Sequence, residues 1–171
     1  GFDPGKLKMI LLTHAHSDHI GAVADLVRLS GAEVVAHETE APYLSGKQQM
    51  PVNNLALRIL SIAGRLFPPP PTIKVDRTLT DGEVIDQFGG LQIIHTPGHS
   101  PGSMCIYLPV RRVLFTGDIM AHKKGRDGNV VLKPPIPIFT TDMAQAKESF
   151  RKLTGLDVDV ICRSSQDELR A

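Results

Sequence analysis

Short apolar runs and helically spaced stretches alternate along the first third of the chain. Residues 8–13, Lys-Met-Ile-Leu-Leu-Thr, form a compact apolar run bounded by polar positions and read as a buried strand. From 20 to 29 the apolar residues Ile20, Val23, Ala24, Leu26 and Val27 recur on one helical face, and Gly31 stops the helix. Residues 33–36 are a second strand. Strand, helix and strand in that order predict an α/β layer arrangement. Residues 38–66 keep an irregular helical pattern, strongest where Leu55, Ile59, Ile62 and Leu66 fall at i, i+4, i+7 and i+11. Four prolines at 68–71 end it as a stiff extended connector.

Beyond the prolines the pattern is richer in strands. Residues 77–79 precede a turn at Asp81-Gly82, residues 83–85 follow, and after Gly89-Gly90 residues 91–94 read as a strand. Residues 104–108 and 113–115 form a hairpin around 109–112. A helix at 144–153 carries Ala144, Ala146, Phe150 and Leu153 as its apolar positions, and 158–162 is a last strand. There is no repeat at a solenoid period. The chemistry described next draws on both sides of the proline run, so residues 1–171 are read as a single domain.

Composition narrows the function classes. With 171 residues, 42% apolar and 22% charged, the chain can bury a sizeable core. A net charge of +1, with Lys and Arg scattered, provides no field for nucleic acid or an anionic membrane and leaves a small molecule as the expected substrate. No apolar run is long enough to cross a bilayer, and no signal peptide is present. Cys105 and Cys162 stand far apart outside any C-x-x-C pair. They read as buried free thiols, which favours a reducing, cytoplasmic setting.

Three segments carry chemistry. Thr13-His14-Ala15-His16-Ser17-Asp18-His19 follows a strand and opens a helix. In extended chain the i and i+2 side chains point the same way, so His14 and His16 can converge, while Asp18 and His19 fall at the helix start, where Asp is favoured. Imidazole and carboxylate are usual zinc ligands; the bland alternative is a histidine-rich surface loop. The second segment, residues 95–103 (His-Thr-Pro-Gly-His-Ser-Pro-Gly-Ser), again follows a strand, and its prolines and glycines fix the loop. His99 is the ligand chosen there, and His95 orients a neighbour or packs. In the third, Phe115-Thr116-Gly117-Asp118, Asp118 is either a ligand at a strand end or a turn former.

In this order the three segments resemble the metallo-β-lactamase fold superfamily. H-x-H-x-D-H matches His14, His16, Asp18 and His19, the H-T-P-G-H-[ST]-P-G-S loop matches residues 95–103, and the Gly-Asp pair matches Gly117 and Asp118. The resemblance implies a four-layer αββα sandwich with the site at one edge of its sheets, and hydrolysis of substrates such as lactams, lactones, thioesters or phosphoesters. It also implies one or two ions, most commonly zinc: His14, His16 and His99 on the first, Asp18 and His19 on the second, Asp118 between them. Asp18 would then also serve in catalysis, orienting water and passing its proton to the leaving group.

Two departures from the family pattern shape the expectation. Ser164 stands where the family places one more histidine, so the first site is favoured and the second is weak; His122, Asp167 and Glu168 read as solvated surface residues, with a substitute-ligand role as the alternative for each. The strands that normally precede this start are missing, which leaves a sandwich incomplete at its N-terminus and a sheet edge suited to self-association. An acyl bond is preferred as the target. The rival readings are a metal-binding remnant without turnover and an interaction protein on the same fold. His37 reads as a packing histidine. The helix at 55–66 reads as core packing, or as a lid in which Leu66 and Phe67 wall the substrate mouth.

Overall fold

The computed structural model describes residues 3–52, 71–124, 130–163 and 168–170. The expectations for the helix at 55–66, the prolines at 68–70, Ser164 and Asp167 fall outside the described residues, and the Glu168 side chain does too.

Parallel strands β1 (Met9–Leu12), β2 (Glu33–His37) and β3 (Arg77–Leu79) make a three-stranded sheet in that order, with Met9 opposite Glu33 and Val35 opposite Arg77. Between β1 and β2 run α1 (Ser17–Ile20) and α2 (Val23–Ser30), and α3 (Ala41–Leu44) follows β2. The second sheet draws on β4 (Val84–Ile85), β5 (Leu91–His95), β6 (Met104–Leu108) and β7 (Val113–Gly117). A hairpin of β8 (Ala121–Lys124) and β9 (Val130–Lys133) then precedes α4 (Met143–Leu153), β10 (Val160–Arg163) and β11 (Glu168–Arg170). The order of the second sheet is β11-β10-β7-β6-β5-β4, with β10 parallel to β7 and the other pairs antiparallel.

Side-chain alternation along the strands builds the layers. Val34 and Ala36 pack with Leu12, Ile20, Val23 and Leu44, under the helices that follow β1 and β2. Val35, between them, points to the other face and joins Leu79, Ile93, Met104 and Ile106 in a core between the two sheets. In β5 and β6 the intervening residues Ile94, Cys105 and Tyr107 turn away and meet Ala146 and Leu153 of α4. Period-two alternation thus sorts neighbouring residues into three cores separating four layers, helix, sheet, sheet, helix. Each fully buried aliphatic side chain contributes about 1.5–3 kcal/mol.

Several elements differ from the sequence expectation. The helix expected over 20–29 begins at Ser17 and is interrupted by a turn at Gly21-Ala22. The apolar spacing runs across the break because Ile20 and Val23 still fill one core. Gly31 ends α2 in the left-handed conformation at φ 67°, as its type suggests. Residues 77–79, expected with the strand-rich second half, instead extend the first sheet, with Leu79 buried between the sheets. The β8–β9 hairpin has no counterpart in the apolar pattern. Cys105 is fully buried, which pushes its thiol up to about 12, whereas Cys162 is only half-buried. Among the described residues no helix is long and apolar enough to cross a membrane.

Candidate metal centre

The histidine-bearing segments leave strands at one edge of the sandwich. β1 ends at Leu12, the chain bends at Thr13, and His16 is extended (φ −69°, ψ 144°) before α1 begins. The backbone N–H of Met104 donates to the carbonyl of Thr13 over 3.0 Å, joining the start of β6 to this loop. Asp118 follows β7 directly. Gly117 before it has φ 51°, and a Cβ there would lie 2.8 Å from Thr13 Oγ1, so only glycine brings the strand end this close.

All six predicted residues come together. His14 Nε2 lies 3.1 Å from His16 Nδ1, which lies 3.0 Å from His99 Nε2. Asp118 Oδ2 is 4.0 Å from His14 Nε2 and 3.7 Å from His99 Nε2. These four donors lie within 4.8 Å of one another. Bonds of about 2.0–2.1 Å to a tetrahedral zinc place ligand atoms roughly 3.3–3.4 Å apart, so the donor set fits such an ion. Asp18, His19 and Asp118 form a second, more exposed group, with His19 Nε2 3.4 Å from Asp118 Oδ1 and 3.8 Å from Asp18 Oδ2. A ligating imidazole usually has a partner on its other nitrogen. His14 Nδ1 has Thr13 Oγ1 at 3.1 Å, whereas the buried His99 Nδ1 lacks a partner among the described residues.

Electrostatics keeps these rings ready for a cation. Burial, reinforced by neighbouring imidazoles, holds His14 well below its ordinary range. Burial likewise lowers His16, and it takes His99 from 6.5 to about 4. At neutral pH all three rings are uncharged and have a lone pair to share. Burial also pulls down His19, but the hydrogen bond and charge of Asp118 outweigh it and the net shift is upward.

A histidine lowered by folding binds fewer protons in the native state than in the unfolded chain. Its contribution to stability is therefore intact above about 6.5 and is lost as pH falls toward its folded value. His99 alone represents on the order of 3 kcal/mol over that interval. The raised His19 acts in the opposite sense, adding stability that is lost as pH rises through its folded value. Four lowered rings, His14, His16, His37 and His99, outweigh the raised His19 and the buried, raised Glu40, which act in the opposite sense, and set the expected net result. Urea unfolding of metal-free protein should show a falling midpoint between about pH 6.5 and 4; a flat profile would contradict the burial of these rings.

His95 stays out of the cluster. It stacks on His37 with ring centres 3.9 Å apart and planes 10° apart, and its Nε2 bonds the carbonyl of Pro101. His122 pairs with Arg163 and does not join either donor group. A cleft of about 820 Å³ opens over the centre, bordered by Asp18, Met120, Ile136, Phe139 and Arg163. One buried carboxylate beside the centre was not foreseen from the sequence. Glu40 has no solvent exposure; its Oε1 accepts from Ala15 N at 2.8 Å and its Oε2 from Gly102 N at 2.7 Å. Burial pushes its carboxyl above the usual range.

An αββα sandwich with three imidazoles and a carboxylate converging at one sheet edge is an arrangement of donors that could hold a metal ion. The family description "Metallo-beta-lactamase superfamily" matches residues 1–165. The chain belongs to that superfamily. It is 29% identical over 167 residues to the probable metallo-hydrolase YflN of Bacillus subtilis (strain 168), covering 91% of this chain and 63% of that protein. It is 30% identical to the hydroxyacylglutathione hydrolase GloC of Haemophilus influenzae, covering 67% of this chain and 50% of GloC. Among solved structures it resembles TTHA1623 in a di-iron-bound form, with 29% identity and a TM-score of 0.65, covering 95% of this chain and 71% of that one. The chain thus spans less than two thirds of the length of both curated relatives.

Proposed function

We propose that this chain is a metal-dependent hydrolase of an acyl-type bond, such as a lactam, lactone or thioester, in a small-molecule substrate, with zinc as its ion. The observation that carries the reading is the convergence of His14, His16, His99 and Asp118, from three separate segments, beneath an open cleft. Relatives named as a metallo-hydrolase and as a hydroxyacylglutathione hydrolase support it. Imidazole and carboxylate also suit iron, and the di-iron form of TTHA1623 makes iron the second candidate.

When bound, a divalent ion supplies Lewis acidity, bringing the pKa of water from about 16 to about 7 and polarising a carbonyl. The chain's own residues do the rest. His14, His16 and His99 hold the ion, and Asp118 faces both donor groups. Asp18, with 75% of its side chain exposed, accepts the proton of the attacking water and returns it to the leaving group. Met120, Ile136 and Phe139 offer apolar surface to the body of a substrate.

The second donor group has only three members among the described residues, and one of them is largely exposed, so its ion is held weakly. Elemental analysis of protein purified without chelator is expected to give one tightly held ion per chain. Two tightly held ions would overturn the weak second site, and none would overturn the centre itself. A panel of chromogenic lactam, lactone, thioester and phosphodiester substrates tests turnover. Metal-dependent hydrolysis restricted to the acyl substrates is the expected result; no metal-dependent hydrolysis of any would leave a metal-binding protein without the proposed activity.

A further inference from the structure

We propose that Glu40 is the positioning residue that locks the two histidine loops in ligating register. The inference rests on the metal-centre reading and goes beyond it, because Glu40 is not a member of either donor group.

Each carboxylate oxygen serves one loop. Oε1 takes the N–H of Ala15, the residue between His14 and His16, and so fixes the peptide that sets the directions of both rings. Oε2 takes the N–H of Gly102 in the loop that carries His99. That loop is stiff in itself: Thr96 N bonds Ser103 O at 2.8 Å, Ser100 N bonds Ser103 Oγ at 3.0 Å, and the two serine hydroxyls lie 2.7 Å apart. Holding Gly102 therefore holds His99. The partners of Glu40 are 25 and 62 positions away, so the carboxylate links segments that share no local structure.

Two further observations favour this role over simple packing. Glu40 occupies the N-cap position of α3, yet its side chain makes no capping hydrogen bond to that helix. The carboxylate is spent wholly outside its own element. Gly102 is also matched to it, since a Cβ there would lie 2.3 Å from the backbone nitrogen of Glu40. The bare glycine allows the two backbones to approach closely enough for the carboxylate to span both loops. Glutamine cannot replace it, because an amide has one acceptor oxygen and would turn an N–H₂ toward a second N–H donor.

The test is cobalt(II) titration of metal-free wild-type, Glu40→Gln and Leu153→Ala proteins, with ligand-field absorption and urea unfolding recorded for each. The expected result for Glu40→Gln is a 10–100-fold loss of cobalt affinity, as is typical when a partner outside the ligand set is lost, together with altered absorption bands. Leu153→Ala removes a core side chain on the far side of the second sheet and is the control. It should lower the unfolding midpoint while leaving affinity and spectrum unchanged. If Glu40→Gln behaves like this control, Glu40 only packs and the proposal is overturned. If wild-type protein binds no cobalt, the metal centre itself fails, which is a distinct outcome. Should Glu40→Gln not fold, amide exchange in wild-type protein decides: slow exchange at Ala15 and Gly102 supports the clasp, and exchange as fast as in open loops refutes it.

Discussion

His16→Ala is expected to fold normally and to lose metal affinity by more than 100-fold. His16 Nδ1 is the hub of the first donor group, 3.1 Å from His14 Nε2 and 3.0 Å from His99 Nε2. Losing a residue outside the ligand set typically costs about 10–100-fold in affinity, and removing a donor atom itself costs more. The folded state should tolerate the change, because His16 is only partly buried and lies at a loop end. An unfolding midpoint equivalent to within about 1 kcal/mol of wild type is expected. Competition against a chromophoric chelator measures the affinity, and any metal-dependent turnover should fall with it. Affinity within tenfold of wild type would show that the three imidazoles do not share an ion.

Gly98→Ala should destabilise the fold far more than a methyl group added at an open glycine. At φ 124° this glycine adopts a conformation that residues with a Cβ rarely take, and a Cβ would lie 2.2 Å from the backbone nitrogen of Ala146 in α4. The contact cannot be relieved by turning a side chain. The His99 loop is moored to the start of α4 by Asp142 N to Gly98 O at 2.8 Å, Thr141 N to His99 O at 3.1 Å and Thr141 Oγ1 to Gly98 O at 2.8 Å. Backbone strain and overpacking together cost about 2–6 kcal/mol, a large share of the roughly 5–15 kcal/mol typical of a domain. Gly31→Ala is the comparison: φ is also positive, at 67°, but nothing lies within 4 Å of the added carbon. It should cost only about 1 kcal/mol. Equal urea midpoints for the two variants would refute the close approach at Gly98.

The donor residues were legible because their spacing is local. Imidazoles at i and i+2 on an extended segment, a tight Pro/Gly loop and a Gly-Asp strand end are each complete within a few residues, and all six side chains meet in the fold. The strands β2, β5 and β6 were legible as short apolar runs, but Val34-Val35-Ala36, Ile93-Ile94 and Met104 to Leu108 are apolar on both faces, so which residue faces which core emerges only from the packing. Glu40 escaped notice for the opposite reason: nothing in His37-Glu38-Thr39-Glu40 distinguishes one acid from the other, and its bonding partners are supplied by distant turns. The β8 residues Ala121, His122, Lys123 and Lys124 show no apolar alternation, so the hairpin is evident only through its pairing with β9. The break at Gly21-Ala22 was hidden because the apolar spacing continues across it.

The uneven distribution of the proposed ligands along the chain also bears on loading. His14, His16 and His19 fall in one short segment, whereas His99 is 83 positions from its partner His16. A newly made or denatured polypeptide therefore already contains a small chelating peptide before any tertiary contact forms. Whatever affinity that peptide has must be subtracted from the stabilisation a bound ion confers on the native fold. Excess ions should consequently raise the melting temperature less than the native affinity alone would suggest, and refolding in their presence would start from chains whose first loop is already occupied.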